Sequence, residues 1–195
     1  MARPARFEGV EVLDRATELF WRDGCDAVTI RDLEVALDLR APSIYRRFTT
    51  KHHLIACCVD HYVDRVVRGR VHRMLEASDD PIEGLRSFFL SVLEPFGDER
   101  GPRGCLLTVT AGQAAFDDPE IGASVRSGFE VLEAAFRVQL ERAQATGQLR
   151  DGIDVGALAT GLLAAFEGLL VLARSNAAGL HAGIDATLVA LLSPT

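Results

Sequence analysis

Apolar residues recur every three or four positions along nearly the whole of this 195-residue chain, and no segment shows strict two-residue alternation. This spacing places apolar side chains on one face of a helix, whereas strands require alternation. Only seven residues are proline, and 48% are hydrophobic, which is enough for a packed core. We therefore predict an all-α fold of about nine to ten helices.

The formal net charge is −7, but it is unevenly distributed along the chain. Residues 1–51 contain nine basic and nine acidic residues, whereas residues 52–195 contain twelve basic and nineteen acidic residues. This asymmetry is expected if only the N-terminal end approaches phosphates while the remainder repels them. The charge pattern thus favours an N-terminal nucleic-acid contact.

The stretch from Thr29 to Lys51 is predicted to form two short helices joined by a tight turn. Thr29 and Asp32 have the hydroxyl-x-x-acid spacing of a helix start. Asp38 interrupts the first helix, and Pro42 is tolerated in the first turn of the second. From the pattern alone, a nucleic-acid-binding pair and a purely structural helix pair both remain open, because this geometry is common in all-α folds.

A longer helix is predicted to follow, at about residues 50–77. At 1.5 Å per residue it would span about 40 Å, enough to connect a small N-terminal domain to a separate body. Its predicted apolar positions are Leu54, Ile55, Cys58, Val59, Tyr62, Val66 and Val71.

About 50 residues near the N-terminus resemble the DNA-binding domain of TetR-family transcriptional regulators. The matching positions are Leu19, Phe20, Gly24, Thr29 to Leu33, Ala36, Leu39, Pro42 to Phe48, Lys51 and Leu54. The resemblance implies a three-helix helix-turn-helix domain at residues 1–52, followed by a larger helical ligand-binding and dimerisation domain at residues 53–195. Two positions differ from the family pattern: Asp38, where members often have glycine, and Arg40, where they often have Ser or Thr.

The resemblance also implies a function. It indicates a ligand-responsive transcriptional regulator, typically a repressor, that binds a near-palindromic operator as a homodimer and is released by a small apolar or amphipathic effector. A cytoplasmic location is expected separately, because no N-terminal stretch has the pattern of a signal peptide and the longest apolar tracts are too short to span a bilayer. The alternative is a helical interaction protein with lost or altered DNA binding, which Asp38 and Arg40 hint at. An enzyme is not expected, because no nucleophile–base pair, phosphate loop or paired carboxylates stand out in the sequence.

The predicted DNA contacts follow from how a helix-turn-helix binds, with its second helix in the major groove and its first helix across the backbone. Small residues at the start of the second helix allow close approach to base edges, and helix N-termini favour phosphate. The predicted contact residues are Thr29, Arg31, Arg40, Ala41, Pro42, Ser43, Tyr45, Arg46 and Lys51.

Two further surfaces are predicted in the larger domain. An effector cavity could be lined by Phe88, Phe89, Cys105, Phe116 and Phe129, although aromatic residues at helical spacing more often simply fill a core. The helix from Asp154 to Ala173 is apolar around most of its circumference, which favours a subunit contact over a packed intrachain helix. With the preceding helix, the predicted contact residues are Phe136, Leu140, Leu158, Leu162, Ala165, Phe166 and Leu169.

The sequence predicts no cofactor, no metal site and no membrane insertion. His53 and Cys57 are four residues apart on one helix, but two ligands do not make a closed zinc site. The four cysteines are expected to be buried thiols, because their spacing fits neither a zinc ribbon nor a redox pair. Redox sensing by a cysteine would need a lowered thiol pKa, for which the sequence offers no evidence.

Overall fold

The computed structural model describes residues 5–93, 104–149, 151–175 and 179–192. Within these ranges the chain is helical and contains no strand, which confirms the predicted all-α class. The α-helices are α1 (Ala5–Asp23), α2 (Ile30–Leu37), α3 (Ala41–Phe48), α4 (Lys51–Tyr62), α5 (Arg68–Val71), α6 (Pro81–Leu90), α7 (Leu106–Ala111), α8 (Pro119–Ala145), α9 (Val155–Arg174) and α10 (Leu180–Leu192).

The long helix predicted at residues 50–77 is present, but two of its segments are π-helical. Between α4 and α5 lies the π-helix Val63–Val67, and a second π-helix, His72–Glu76, follows α5. A π-turn accommodates one residue more than an α-turn. The predicted apolar position Val66 is partly exposed, whereas Val63 and Val67 are buried.

The chain divides into two compact units. The first contains residues 1–65 and 106–128, and the second contains residues 66–105 and 129–195. These units do not coincide with the predicted domains at 1–52 and 53–195. The difference arises because residues 106–128, far from the N-terminus in sequence, pack with the N-terminal helices.

In the first unit, α1 packs against both α2 and α4, and α3 packs against α2 and α4. Its core includes Phe20 and Leu33, both completely buried. The rings of Trp21 and Tyr62 meet edge to face, with centroids 5.0 Å apart. Aromatic pairs of this kind add about 0.5–1.5 kcal/mol beyond the burial of their area. The helix pair predicted at residues 29–51 is thus supported by α1 and α4.

Residues 106–128 join the first unit through the turn after α1. The Asp26 carboxylate accepts hydrogen bonds from the backbone N–H groups of Ala114 (2.8 Å) and Ala115 (3.0 Å). In return, the backbone N–H of Asp26 donates to Oε1 of Gln113 at 3.1 Å. Gly24, predicted to end α1, has φ +88°, and a Cβ there would lie 2.6 Å from Nε2 of Gln113. The positive φ favours glycine for this turn, and the missing side chain leaves room for the Gln113 amide.

The second unit is built around four phenylalanine rings. Phe88 and Phe89 of α6 contact Phe136 of α8 and Phe166 of α9, with ring centroids 4.8–6.0 Å apart. All four side chains are at most 2% exposed. This aromatic cluster joins three helices into one core.

The aromatic cluster corrects part of the predicted subunit contact. Of the seven predicted residues, Leu158 and Ala165 are partly exposed. The other five are buried inside the protomer: Phe136, Leu140, Leu162, Phe166 and Leu169. Apolar periodicity could not separate these core positions from an interface face, because it marks both in the same way.

The residues predicted to line an effector cavity are divided between the two units. Phe88 and Phe89 lie in the aromatic cluster, and Cys105 is 4% exposed in the second unit. Phe129 is partly exposed in the second unit, whereas Phe116 belongs to a short 3₁₀ helix of the first unit. The predicted set therefore does not belong to one compact unit.

Helix α9 begins as predicted at Asp154, whose carboxylate accepts a hydrogen bond from the backbone N–H of Ala157 at 3.0 Å. Its mean hydropathy reaches 2.0, and by length and composition alone it could cross a membrane, with 28% of that window buried. Part of the helix surface is exposed to solvent although its side chains are apolar and mostly small. One exposed strip along α9 consists of Ala157, Gly161, Ala164, Gly168, Val171 and Leu172, and we call it the α9 face.

Candidate nucleic-acid interface

Helix α2 begins with a reciprocal cap. The hydroxyl of Thr29 donates to Oδ2 of Asp32 at 2.6 Å and accepts from the backbone N–H of Asp32 at 3.3 Å. The backbone N–H of Thr29 also donates to Asp32, at 2.8 Å. These bonds, first from the hydroxyl and then from the backbone, lower the pKa of Asp32, so the cap weakens only as pH falls through that lowered value. The predicted helix start is confirmed.

The turn between α2 and α3 is formed without glycine. Asp38 adopts the left-handed conformation, with φ 52° and ψ 43°. Its backbone N–H donates to the carbonyl of Glu34, as does that of Leu39 at 3.2 Å. Aspartate visits this conformation more readily than most residues. The turn therefore survives the departure from the family pattern, as expected.

Glu34 ties the start of α3 to α2. The residue that precedes α3, Arg40, makes no side-chain capping bond. Instead, Oε1 of Glu34 accepts a hydrogen bond from the backbone N–H of Ala41 at 2.7 Å. Sequence analysis did not identify Glu34, because the two residues are seven positions apart and meet only once the turn is formed. Glu34 thus sets the position of the helix that would enter the groove.

Replacing Glu34 with Ala is expected to destabilise the protein by about 1 kcal/mol, because the N-terminus of α3 loses its cap. The same change should weaken DNA binding, because α3 would no longer be held against α2. Replacing Glu34 with Gln keeps a carbonyl oxygen at the same place and should preserve most of both properties. Urea unfolding and fluorescence-anisotropy binding measure the two effects. Equal behaviour of the Ala and Gln variants would contradict the capping role.

Helix α3 is divided cleanly into a buried and an exposed side. Ile44 and Phe48 are 2% and 5% exposed, as predicted. Arg47 lies against Gly9 of α1, and its guanidinium carbon is 5.5 Å from the centre of the Phe48 ring. The predicted contact residues on and beside α3 are partly or fully exposed: Arg40, Ala41, Pro42, Ser43, Tyr45 and Arg46. Thr29 and Arg31 are exposed as well, and Lys51 is partly exposed.

An open groove of about 590 Å³ runs beside α3 and the turn that precedes it. It is mixed in charge, so Arg46 shares the groove with the carboxylates of Glu11 and Asp38. The lining residues are Glu11, Val12, Arg15, Leu37, Asp38, Leu39, Ser43, Arg46 and Arg47.

A strained turn joins α3 to α4. Thr49 has φ 57° and ψ −54°, and the backbone N–H of Thr50 donates to the carbonyl of Phe48. A β-branched residue at positive φ costs about 1–3 kcal/mol, which the surrounding packing must offset. The Thr50 hydroxyl then caps α4 by accepting from the backbone N–H of His53 at 3.0 Å. This turn places Lys51 in the first turn of α4, beside the C-terminus of α3.

Two family models match the chain. One, described as bacterial regulatory proteins of the tetR family, covers residues 12–57, which include the helix pair and its supports. The other, described as the tetracyclin repressor-like C-terminal domain, covers residues 81–183, slightly more than half of the chain. The chain belongs to the TetR family.

Individual proteins agree with this assignment. The chain is 27% identical over 175 residues to the HTH-type transcriptional repressor ComR of Escherichia coli (strain K12), covering 90% of this chain and 83% of ComR. It is 29% identical over 160 residues to the uncharacterized HTH-type transcriptional regulator YezE of Bacillus subtilis (strain 168), covering 82% of each. Among solved structures, a cysteine mutant of the TetR-family regulator CifR, complexed with 26-bp operator DNA, superimposes with a TM-score of 0.83. The two are 26% identical, and the match covers 97% of this chain and 99% of that one.

These matches confirm the predicted function at the level of the family. The protein is a ligand-responsive, DNA-binding transcriptional regulator of the repressor type. Its relatives are regulators rather than enzymes. The TetR-family C-terminal match includes residues 106–128, which the structure assigns to the same compact unit as the helix-turn-helix. One segment therefore belongs to the regulatory domain by sequence and to the DNA-binding unit by packing.

Proposed function

We propose that this TetR-family regulator binds a near-palindromic operator in the cytoplasm as a homodimer, with α3 of each protomer in the major groove. The observation that carries the proposal is the two-sided character of α3. Ile44 and Phe48 anchor one side of the helix, Glu34 holds its start, and the other side presents small, polar and cationic residues to solvent. A single module of this size buries too little surface for tight specific binding, which is why a two-fold dimer is expected.

Each predicted contact residue has a role that its position permits. Ala41, Pro42 and Ser43 are small enough at the start of α3 to let the helix approach base edges and thymine methyl groups. Tyr45 and Arg46, one turn further on, would reach phosphates or base edges. Thr29 and Lys51 lie at the starts of α2 and α4, where the helix dipole favours a phosphate, although the backbone N–H of Thr29 itself donates to Asp32.

Arg40 and Arg31 add cationic groups to the same surface. Arg40 immediately precedes α3 and is exposed, so it would reach a phosphate or a guanine edge where relatives use a hydroxyl. Arg31 lies in the first turn of α2 and is also exposed. Both would contribute to the salt dependence of binding.

We further propose that the α9 face is the centre of the subunit contact. Gly161 and Gly168 have open space where a Cβ would be, with no atom of the described residues within 4 Å. Val171 and Leu172 are 52% and 49% exposed, and Val138 of α8 is 49% exposed. An exposed apolar strip with glycines lets a second helix approach closely, and covering it removes apolar area from water.

Regulation would pass through residues 106–128. In the first unit these residues are joined to the helix-turn-helix by the Asp26 bonds, and α8 continues from residue 128 into the second unit. If the effector and the operator favour different arrangements of α8, each lowers the protein's affinity for the other by the same factor. We expect the effector to be a small apolar or amphipathic molecule, because the second unit is built largely from apolar helices.

Footprinting of the operator tests the proposal. Operator DNA would first be selected from random duplexes by the purified protein, and hydroxyl-radical cleavage would then be mapped on both strands. Two protected half-sites, related by two-fold symmetry and separated by a whole number of helical turns, are expected. A single protected site, or no selected sequence from a folded protein, would overturn the proposal.

A further inference from the structure

Three side chains in the first unit are arranged as a nucleophile, a base and a carboxylate. Sγ of Cys57 lies 3.7 Å from Nε2 of His53, one turn earlier on α4. Nδ1 of the same ring lies 2.5 Å from Oε1 of Glu120, in the first turn of α8. The two bonds leave opposite sides of the imidazole, so the groups do not converge on a metal ion. They form a relay from thiol to ring to carboxylate.

The protonation of His53 follows from its partners. An ionised carboxylate only accepts hydrogen bonds, so the ring nitrogen that faces Glu120 must carry a proton. In the neutral ring the other nitrogen, Nε2, is then an acceptor, and it faces the Cys57 thiol. Glu120 therefore holds the tautomer in which His53 can remove the thiol proton.

Cys57 differs from the other cysteines in its access to solvent. All four cysteines lie within the described residues, and only Cys57 is partly exposed. Cys25, Cys58 and Cys105 are 1%, 1% and 4% exposed. A reagent that enters from water would therefore reach Cys57 first.

The thiol is protonated at rest. Desolvation, followed by the carboxylates of Asp60 and Glu120, raises the pKa of Cys57. A raised pKa keeps the resting thiolate fraction low, but it also makes the thiolate a stronger nucleophile once it forms. Such a thiol reacts slowly alone and faster when a neighbouring base accepts its proton during attack.

We propose that Cys57 is a modification site for electron-poor alkenes of the α,β-unsaturated carbonyl class, with His53 as the base and Glu120 as a positioning residue. Sγ forms a bond to the β-carbon as the alkene π pair moves towards the carbonyl to give an enolate. The thiol proton passes to Nε2 of His53 and then to the α-carbon of the enolate. The product is a thioether, and no oxidant or reductant is required.

The adduct would act on the DNA-binding unit, a consequence that rests on the proposed function. The His53–Glu120 bond joins α4 to the start of α8, and a second pair, His52 with Asp118 at 2.9 Å, lies beside it. A substituent on Cys57 occupies the space next to His53 and separates it from Glu120. Operator affinity would then fall, because α4 supports α3 in the same unit.

Mass spectrometry of the full-length protein treated with methyl vinyl ketone tests the chemistry without DNA. One adduct is expected to form quickly, and peptide mapping should place it on Cys57. Replacing His53 with Gln should slow this adduct by about 100-fold, the lower end of the range for general-base effects. The residual rate of adduct formation in the variant should rise with pH as free thiolate forms. The rate in the wild-type protein should depend less on pH.

Matched variants separate the relay from general disturbance. His72 pairs with Glu76 at 3.0 Å on an exposed helix surface, so H72Q removes an equivalent pair elsewhere and should leave the rate unchanged. Glu120→Gln keeps an acceptor for the ring proton and should retain much more of the rate than Glu120→Leu. Equal rates in H53Q and the unchanged protein, or a first adduct on another cysteine, would overturn the proposal.

The regulatory consequence is measured on the selected operator. The unmodified protein should bind it, and the Cys57 adduct should bind at least tenfold more weakly, whereas treated C57S should bind as before. An adduct that leaves affinity unchanged would overturn the regulatory role. Failure of the unmodified protein to bind would instead contradict the proposed function, and the adduct chemistry would still be decided by the mass spectra.

Discussion

Replacing Gly168 with Glu is expected to convert the dimer to monomers and to weaken operator binding on the order of 100-fold, because both half-sites must be engaged by one molecule. The physical reason lies on the α9 face. Within the part of the chain that the structure describes, a Cβ at Gly168 meets no atom within 4 Å, so there is room for the new side chain. In a close helix contact the same side chain would clash and would bury an unpaired charge. Light scattering and fluorescence anisotropy on the selected operator measure the two effects.

A matched control for this variant lies on α10. Gly183 is also helical and exposed, and among the described residues no atom lies within 4 Å of a Cβ there, but it lies outside the α9 face. Gly183→Glu should remain dimeric and should bind the operator normally. Both variants should fold at least as stably as the unchanged chain, since glycine is unfavourable within a helix by about 1 kcal/mol. A dimeric Gly168→Glu protein would show that the subunit contact lies elsewhere.

Replacing Arg46 with Ala is expected to weaken operator binding by about 1–3 kcal/mol if the guanidinium contacts a base, or by less if it contacts a phosphate. The salt dependence separates these contributions. Each lost phosphate contact should reduce the slope of log K against log salt concentration by about 0.9. The same reduction is expected for Lys51→Ala. Anisotropy titrations between about 50 and 200 mM salt provide the slope.

The control for the loss of positive charge is Arg73, an exposed arginine on the second π-helix, outside the proposed interface. Arg73→Ala changes the net charge equally and should leave the salt slope nearly unchanged. If all three variants alter the slope to the same small extent, Arg46 and Lys51 act only through net charge. The proposed DNA contacts would then be incorrect.

The individual helices could be predicted from local signals in the sequence. The Thr29–Asp32 cap, the left-handed Asp38 and the prolines after Asp80 and Asp118 act on residues within one turn of themselves. The family resemblance over residues 29–51 predicted the function, because those residues form the helix that would enter the groove and the segments that hold it in place. Burial of Ile44 and Phe48 followed from the same periodicity.

The arrangement of these helices depended on contacts between distant residues. Apolar spacing predicted that Phe136 and Phe166 would be covered, but it could not distinguish a protomer core from a subunit contact. The two π-helical segments continue the helix without a break, so the spacing of apolar residues did not predict where the chain changes from α-helix to π-helix. Packing of residues 106–128 with the N-terminal helices was likewise invisible to any short-range pattern.

The sequence by itself determined the all-α class, the caps that begin its helices, and the TetR-type helix pair, because each depends on side chains a few residues apart. Only the tertiary structure decided which apolar faces remain open, that Glu34 caps α3, and that His53 lies between Cys57 and Glu120. Those features require side chains from separate elements to meet. Their geometry is set by how the helices pack, which local periodicity does not encode.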